Sequence, residues 1–173
     1  KISETDIAIV GMSCRFPGAK NAGEFWDNLE NGKESITFFT DNELESGDAD
    51  IIKDPNFVRA GSVIEDAKSF DAQFFGFSEQ EAKILDPQHR KFLECSWEAL
   101  EDGGYDPFTF KGSVGVFAGS GMSTYLINNV HPNIGYHPNR TFLESMGDLQ
   151  LLTANDRDYL ATRVSYKLNL RGP

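Results

Sequence analysis

Cysteine is scarce: Cys14 and Cys95 are the two in 173 residues. Two thiols make no disulfide framework, so both are read as free thiols in a reducing compartment. Positive charge is short as well, with 16 Lys and Arg against 27 Asp and Glu and a net charge of −11. That balance argues against nucleic acid, whose phosphates need Lys and Arg to neutralise them, and against an anionic membrane surface. Long apolar runs are missing too. The first, Ile7 to Val10, has four residues, far fewer than the roughly 18 of a membrane span. The N-terminus shows no signal-peptide pattern. The expected location is cytoplasmic.

What is present suits a globular chain. Apolar residues make up 39%, and a domain of this length buries roughly 70% of its unfolded surface. Disorder is therefore excluded as the overall class. Asp6 to Val10 before Gly11 reads as a buried strand. Asn21 with Glu24 predicts a helix start, with Phe25, Trp26 and Leu29 on its apolar side and Asn31-Gly32 at its end. Residues 36–77 are less regular. The acidic stretch through Asp41, Glu43, Glu45, Asp48, Asp50 and Asp54 lacks the glycine and closing Glu of a calcium loop and reads as a solvated loop. Phe70, Phe74, Phe75 and Phe77 read as core.

Ser78 and Glu81 form a capping-box pattern, and Asp86-Pro87 starts a second helix. Phe92, Cys95, Ser96, Ala99 and Leu100 recur along it at helical spacing, and Gly103-Gly104 stop it. Ser113 to Ala118 reads as a second strand, and Leu160, Val164 and Leu168 mark a last helix. The order predicts an α/β chain with a largely parallel sheet. Two strands are few for such a sheet, which leaves open a small complete fold with further strands.

No complete catalytic set stands out. Gly119-Ser-Gly121 lacks the third glycine of a dinucleotide loop and reads as a close-packed strand exit. Cys14 has no His nearby in sequence to activate it and reads as a buried structural thiol; Cys95 falls on an apolar helix face and reads as core. His131 and His137, in a Pro-containing loop, lack further ligands at metal spacing. His89 lies in a first helical turn, where nothing marks it as a base.

Taken in order, the motifs say more. Asp6-Ile-Ala-Ile-Val-Gly-Met-Ser-Cys-Arg-Phe-Pro-Gly18 resembles the opening of the β-ketoacyl synthase (ketosynthase) domain of modular type I polyketide synthases. Glu24-Phe-Trp-Asp-Asn-Leu29, Phe70-Asp-Ala-Gln-Phe-Phe-Gly76 and Asp86-Pro-Gln-His-Arg90 resemble further signatures of that family. So do Leu93-Glu-Cys-Ser-Trp-Glu-Ala-Leu100, Val114-Gly-Val-Phe-Ala-Gly119 and Asn155-Asp-Arg-Asp-Tyr-Leu-Ala-Thr-Arg163. The series covers essentially the whole chain. At the position of His89 the family carries either Gln or His, which speaks against a catalytic base there.

The resemblance implies a thiolase-like fold, of which residues 1–173 would be the N-terminal half with an incomplete sheet. It implies decarboxylative Claisen condensation, an acyltransferase reaction of an acyl thioester with a malonyl-type extender. It implies no cofactor bound by this chain, and the phosphopantetheine arm of an acyl carrier protein as the substrate's carrier. The implied partners are the rest of the ketosynthase domain, a second copy in a homodimer, the carrier protein and an adjacent acyltransferase domain. The family's Thr-Ala-Cys-Ser nucleophile motif follows Leu-Arg-Gly-Pro, where this sequence stops at Pro173. The catalytic Cys and both His are thus expected outside it, and the chain alone is expected to be inactive. Met122 matches the position that gates the family's acyl pocket, with ordinary core packing as the alternative. Leu151 and Leu152 align with a segment that reaches toward the partner's acyl pocket. Two competing readings are a non-catalytic assembly module that keeps the ketosynthase N-terminal half and a small thiol enzyme using Cys14.

Overall fold

The computed structural model describes residues 5–44, 52–134 and 142–173. It divides into two compact units: Cys14–Asp66, and Lys1–Ser13 with Ala67–Pro173. Helix α1, Ala22–Glu30, belongs to the smaller unit. Asn21 caps it as expected, its side-chain oxygen accepting from the Glu24 N–H at 2.9 Å. The helix ends at Asn31, and Gly32 takes φ +61°, the left-handed conformation glycine tolerates. Its apolar side is only partly used. Phe25 stacks on Phe16 with ring centroids 4.2 Å apart, whereas Trp26 and Leu29 are exposed. Phe16 and Ala19 exchange backbone hydrogen bonds across a turn with Gly18 at φ +69°.

The irregular region holds a small sheet that sequence patterning does not show. β1 (Thr37–Phe38) pairs antiparallel with β2 (Ala60–Gly61), Thr37 opposite Gly61. Two residues per strand are too few for alternation to register.

The larger unit is built on helices. α2, Glu79–Ile84, starts with the expected capping box between Ser78 and Glu81. α3, Pro87–Asp102, starts with Asp86 at its cap, the carboxylate accepting from the Gln88 N–H at 2.7 Å. Its C-terminus is closed by Gly103 and by Gly104 at φ +73°. A π-helical stretch, Leu126–Val130, runs into the short α4, His131–Ile134. His131 is thus in a helical turn, not a loop, while His137 lies outside the described residues. α5, Phe142–Asn155, was not expected. α6, Leu160–Lys167, was: Leu160, Val164 and the following Leu168 are all buried.

The core of this unit gathers Phe75, Leu93, Val164 and Leu168, with Phe70, Phe77, Phe92 and Trp97 packed against it. The phenylalanine cluster is core, as its pattern suggests. Phe70 stacks on Phe75 at 5.5 Å; Phe74 stays exposed and meets Trp97 edge-on at 4.9 Å.

The two predicted strands behave differently from expectation. Residues 6–10 join no described ladder, and Ile7 and Ile9 are 96% and 85% exposed. A run that is apolar on both faces gains its stability from neighbours on each side and layers above and below, and no described neighbour supplies them. The segment at 113–118 is extended but not a full strand. Val114 N–H donates to Arg171 C=O at 3.0 Å and Val116 N–H to Pro173 C=O at 3.1 Å, a parallel pairing of two bonds. The glycines after it are not close-packed: a Cβ at Gly119 would meet nothing within 4 Å, and one at Gly121 only Gln88 Oε1 at 3.6 Å. Gly11 is the tight position. A Cβ there would lie 2.1 Å from the Ala99 carbonyl oxygen and 2.7 Å from Gly103 N.

Polar groups tie α3 to α5 and α6. Arg163 donates from Nε to His89 Nδ1 at 3.3 Å and from Nη2 to the Thr153 carbonyl. His89 is buried, and its Nε2 has no hydrogen-bond partner among the described residues. Burial holds its pKa below the ordinary histidine value, and the Arg163 charge pushes the same way against weaker pulls from Asp86 and Asp156. Folding therefore favours the neutral ring of His89.

Two outcomes follow. Gly11→Ala should cost about 1–3 kcal/mol, the range for forcing a methyl into packed backbone, read from the urea midpoint. The unfolded chain binds a proton at His89 more readily than the folded one, so stability is full above about pH 6.5 and falls as pH drops below it. Melting temperatures between pH 7.5 and 5 should decline in the native chain and decline less in His89→Gln.

Candidate functional site

A cavity of about 270 Å³ opens in the larger unit, bounded by Gly121–Ser123, Leu126, Leu152 and Asn155–Arg157. It forms where the chain leaving Gly119 turns into the π-helical stretch and meets the end of α5. Met122, Leu126 and Leu152 give it apolar walls, while Ser123, Asn155, Asp156 and Arg157 add polar groups. Met122 is 79% exposed and Leu152 49% exposed.

Of the three residues singled out from sequence, the structure places Met122 and Leu152 on this one cavity. Leu151 is half-buried and does not line it; its carbonyl accepts from Asn155 Nδ2 at 2.9 Å. Helical geometry gives the reason, since residues adjacent in a helix point about 100° apart.

Sequence reasoning missed the polar residues that fix the site. Asn155, 5% exposed, is the last residue of α5. Its Nδ2 also donates to the Ile84 carbonyl at 2.9 Å, and its Oδ1 accepts from Ser123 Oγ at 3.4 Å. Gln88, in the first turn of α3, accepts at Oε1 from the Gly121 N–H at 3.0 Å. Asp156 turns the chain away, capping the short 3₁₀ turn Arg157–Tyr159 through the Asp158 N–H at 2.9 Å. The one available signal was local: Asn155-Asp156 after an apolar segment marks a helix end.

The arrangement can seat an apolar group against Met122, Leu126 and Leu152, and among its lining residues no nucleophile is paired with a base. Neither Cys14 nor Cys95 is in a disulfide, and both are half-buried rather than fully buried. His89 faces Arg163, not the cavity wall. Among the described residues no group of three His, Cys, Asp or Glu could hold a metal ion, and no helix is long and apolar enough to cross a membrane.

A second hollow, about 300 Å³, lies between Val10-Gly11 and Val114–Phe117 over Ala99, Leu100, Val164 and Leu170. It is apolar, and Phe117 at its edge is 85% exposed.

Comparison with known proteins places the fold. Residues 4–173 match the family model described as beta-ketoacyl synthase, N-terminal domain. The chain is 47% identical over 176 residues to a component of the phenolphthiocerol/phthiocerol polyketide synthase of Mycobacterium tuberculosis, covering 99% of this chain and 12% of that protein. It is 37% identical to erythronolide synthase EryA3 of Saccharopolyspora erythraea, covering 100% of this chain and 5% of the relative. Ketosynthase twelve of the bacillaene polyketide synthase of Bacillus amyloliquefaciens superposes with a TM-score of 0.74 at 36% identity, over 96% of this chain and 28% of that one. The module 1 ketosynthase of that organism's bacillaene synthase gives 0.72 at 37% identity, again over 96% and 28%. The chain thus spans about an eighth or less of these curated relatives, and its helices and small sheet form part of a thiolase-like ketosynthase fold. It belongs to the β-ketoacyl synthase family, in the N-terminal domain that polyketide synthases carry in their ketosynthases.

Proposed function

We propose that this chain is the N-terminal portion of a ketosynthase whose complete domain carries out decarboxylative Claisen condensation in polyketide assembly. The observation that carries the reading is the match over nearly the whole chain to 28% of a solved ketosynthase. Exposed Ile7, Ile9 and Phe117 and the second hollow are consistent with it. They are the apolar groups that further sheet and helix would cover.

In this reading the nucleophilic Cys and the two His come from the remainder of the domain. The Cys thiolate attacks the carbonyl of the incoming thioester, a new C–S bond forms, and the carrier's phosphopantetheine thiolate leaves. The malonyl-type extender loses carbon dioxide, and the electron pair of the broken C–C bond becomes a carbanion. That carbanion attacks the acyl thioester carbonyl, a new C–C bond forms, and the Cys thiolate leaves. This chain supplies the cavity beside Met122 and Leu152 as the seat for part of the acyl chain, where apolar walls favour a hydrocarbon. The phosphopantetheine arm belongs to a partner acyl carrier protein and arrives as substrate. The assembly is a cytoplasmic homodimer with an adjacent acyltransferase domain, and the isolated chain is silent.

Intact mass spectrometry tests this. The isolated chain incubated with hexanoyl-N-acetylcysteamine should keep its mass, whereas the complete domain containing it should gain one hexanoyl group. A stoichiometric adduct on the isolated chain, lost in Cys14→Ala, would overturn the assignment. A complete domain that takes no acyl group would do the same and would favour a non-catalytic assembly module.

A further inference from the structure

We infer that Gln88 and Asn155 are positioning residues for Met122: they pin the chain on either side of it and leave its side chain free at the cavity. The inference rests on the proposed reading of that cavity as an acyl-chain seat and deepens it. Gly121, immediately before Met122, donates its N–H to Gln88 Oε1 at 3.0 Å. The other end of the same amide, Nε2, lies 3.5 Å from Asp86 Oδ2, a long contact consistent with that orientation. Ser123, immediately after Met122, donates from Oγ to Asn155 Oδ1 at 3.4 Å. Asn155 cannot drift, because its Nδ2 holds the carbonyls of Ile84 and Leu151 at 2.9 Å each.

The two anchors come from different helices, Gln88 from α3 and Asn155 from α5. Between them Met122 keeps most of its surface exposed. A group that decides how much of a cavity is open needs a fixed root and a movable arm. Methionine supplies the arm, with three rotatable bonds and no branching. The anchors supply the root. Leu152, three residues before Asn155 on α5, lines the same cavity. Asn155 therefore fixes the distance between the arm and part of the opposing wall. Loosening either anchor shifts the root, and selectivity for chain length suffers before catalysis itself does.

The test uses the complete ketosynthase domain that carries this segment. Acylation rates are measured with acetyl-, butanoyl-, hexanoyl- and octanoyl-N-acetylcysteamine. Gln88→Met keeps the length of the side chain and removes the acceptor; Ser123→Ala removes the other tie with little change in volume and reports if the first variant does not fold. Either should move the octanoyl-to-acetyl ratio of kcat/KM about five-fold, the scale of one lost hydrogen bond. Ser78→Ala, which removes the distant cap of α2, should lower the melting temperature and leave that ratio alone. If Met122→Ala moves the ratio while Gln88→Met and Ser123→Ala do not, the positioning role is overturned and the acyl-chain reading stands. If Met122→Ala leaves the ratio unchanged, the acyl-chain reading falls and the positioning role falls with it. If Ser78→Ala moves the ratio as far as Gln88→Met, general loosening explains the effect and the role is overturned.

Discussion

The larger unit depends on how the start of α3 is sewn to the end of α5. Asp86 donates its N–H to the Ala154 carbonyl at 3.1 Å while its carboxylate caps α3. Asn155 returns the tie to Ile84, and Arg163 bridges His89 on α3 and the Thr153 carbonyl on α5. These groups sit largely out of water, where a satisfied hydrogen bond gains strength and an unsatisfied one is expensive. The seam therefore has one good arrangement. It sets the level at which Leu93 of α3 meets Val164 of α6 and Leu168 just beyond it. It also brings Gln88 within reach of Gly121, so the same few bonds that fix the core also fix the edge of the cavity.

How much of this was legible follows the range of each interaction. The helix starts at Asn21, Ser78 and Asp86 were readable because a cap is satisfied within three residues. α6 was readable because Leu160, Val164 and Leu168 mark one stripe. α5 was not, because Phe142, Leu143, Met146, Leu149, Leu151 and Leu152 go round the helix without choosing a side. The segment at 6–10 reads as strand by composition, but a ladder is a contract with another part of the chain, and composition does not name that part. Residues 113–118 found two bonds with 171–173, a partner more than fifty residues away.

The site divides along the same line. Met122 and Leu152 were reachable only through the resemblance to a family, since a lone Met after Gly-Ser-Gly has no periodic signature. Gln88 and Asn155 were out of reach for a different reason. Each acts on a residue more than thirty positions away, and nothing in a linear pattern distinguishes a glutamine that will find a distant N–H from one that will face water. Gly11 belongs with them, because the reason for glycine is the Ala99 carbonyl, visible only once α3 is in place.

Charge adds a last constraint. The chain carries a formal charge of −11, and some of its positive charge lies inside. Arg90 and Lys91 are buried and Arg163 is half-buried, and Lys91 is paired with the partly buried Glu94 at 2.8 Å. Arg90 lies 5.6 Å from the ring of Tyr125 rather than over solvent. Of these cations only Arg163 ties the seam, while the carboxylates of Glu43, Glu79 and Asp106 stand exposed. A surface of that sign repels an acidic partner over about a Debye length, roughly 8 Å in physiological salt. In the proposed function an acidic carrier protein would therefore be steered away from this portion and would dock on the remainder of the domain, where the nucleophile is also expected. The acyl chain would then reach the Met122 cavity from the nucleophile's side, with its carrier seated elsewhere. In the proposed function this segment would then measure the chain, and the chemistry would fall to its neighbour.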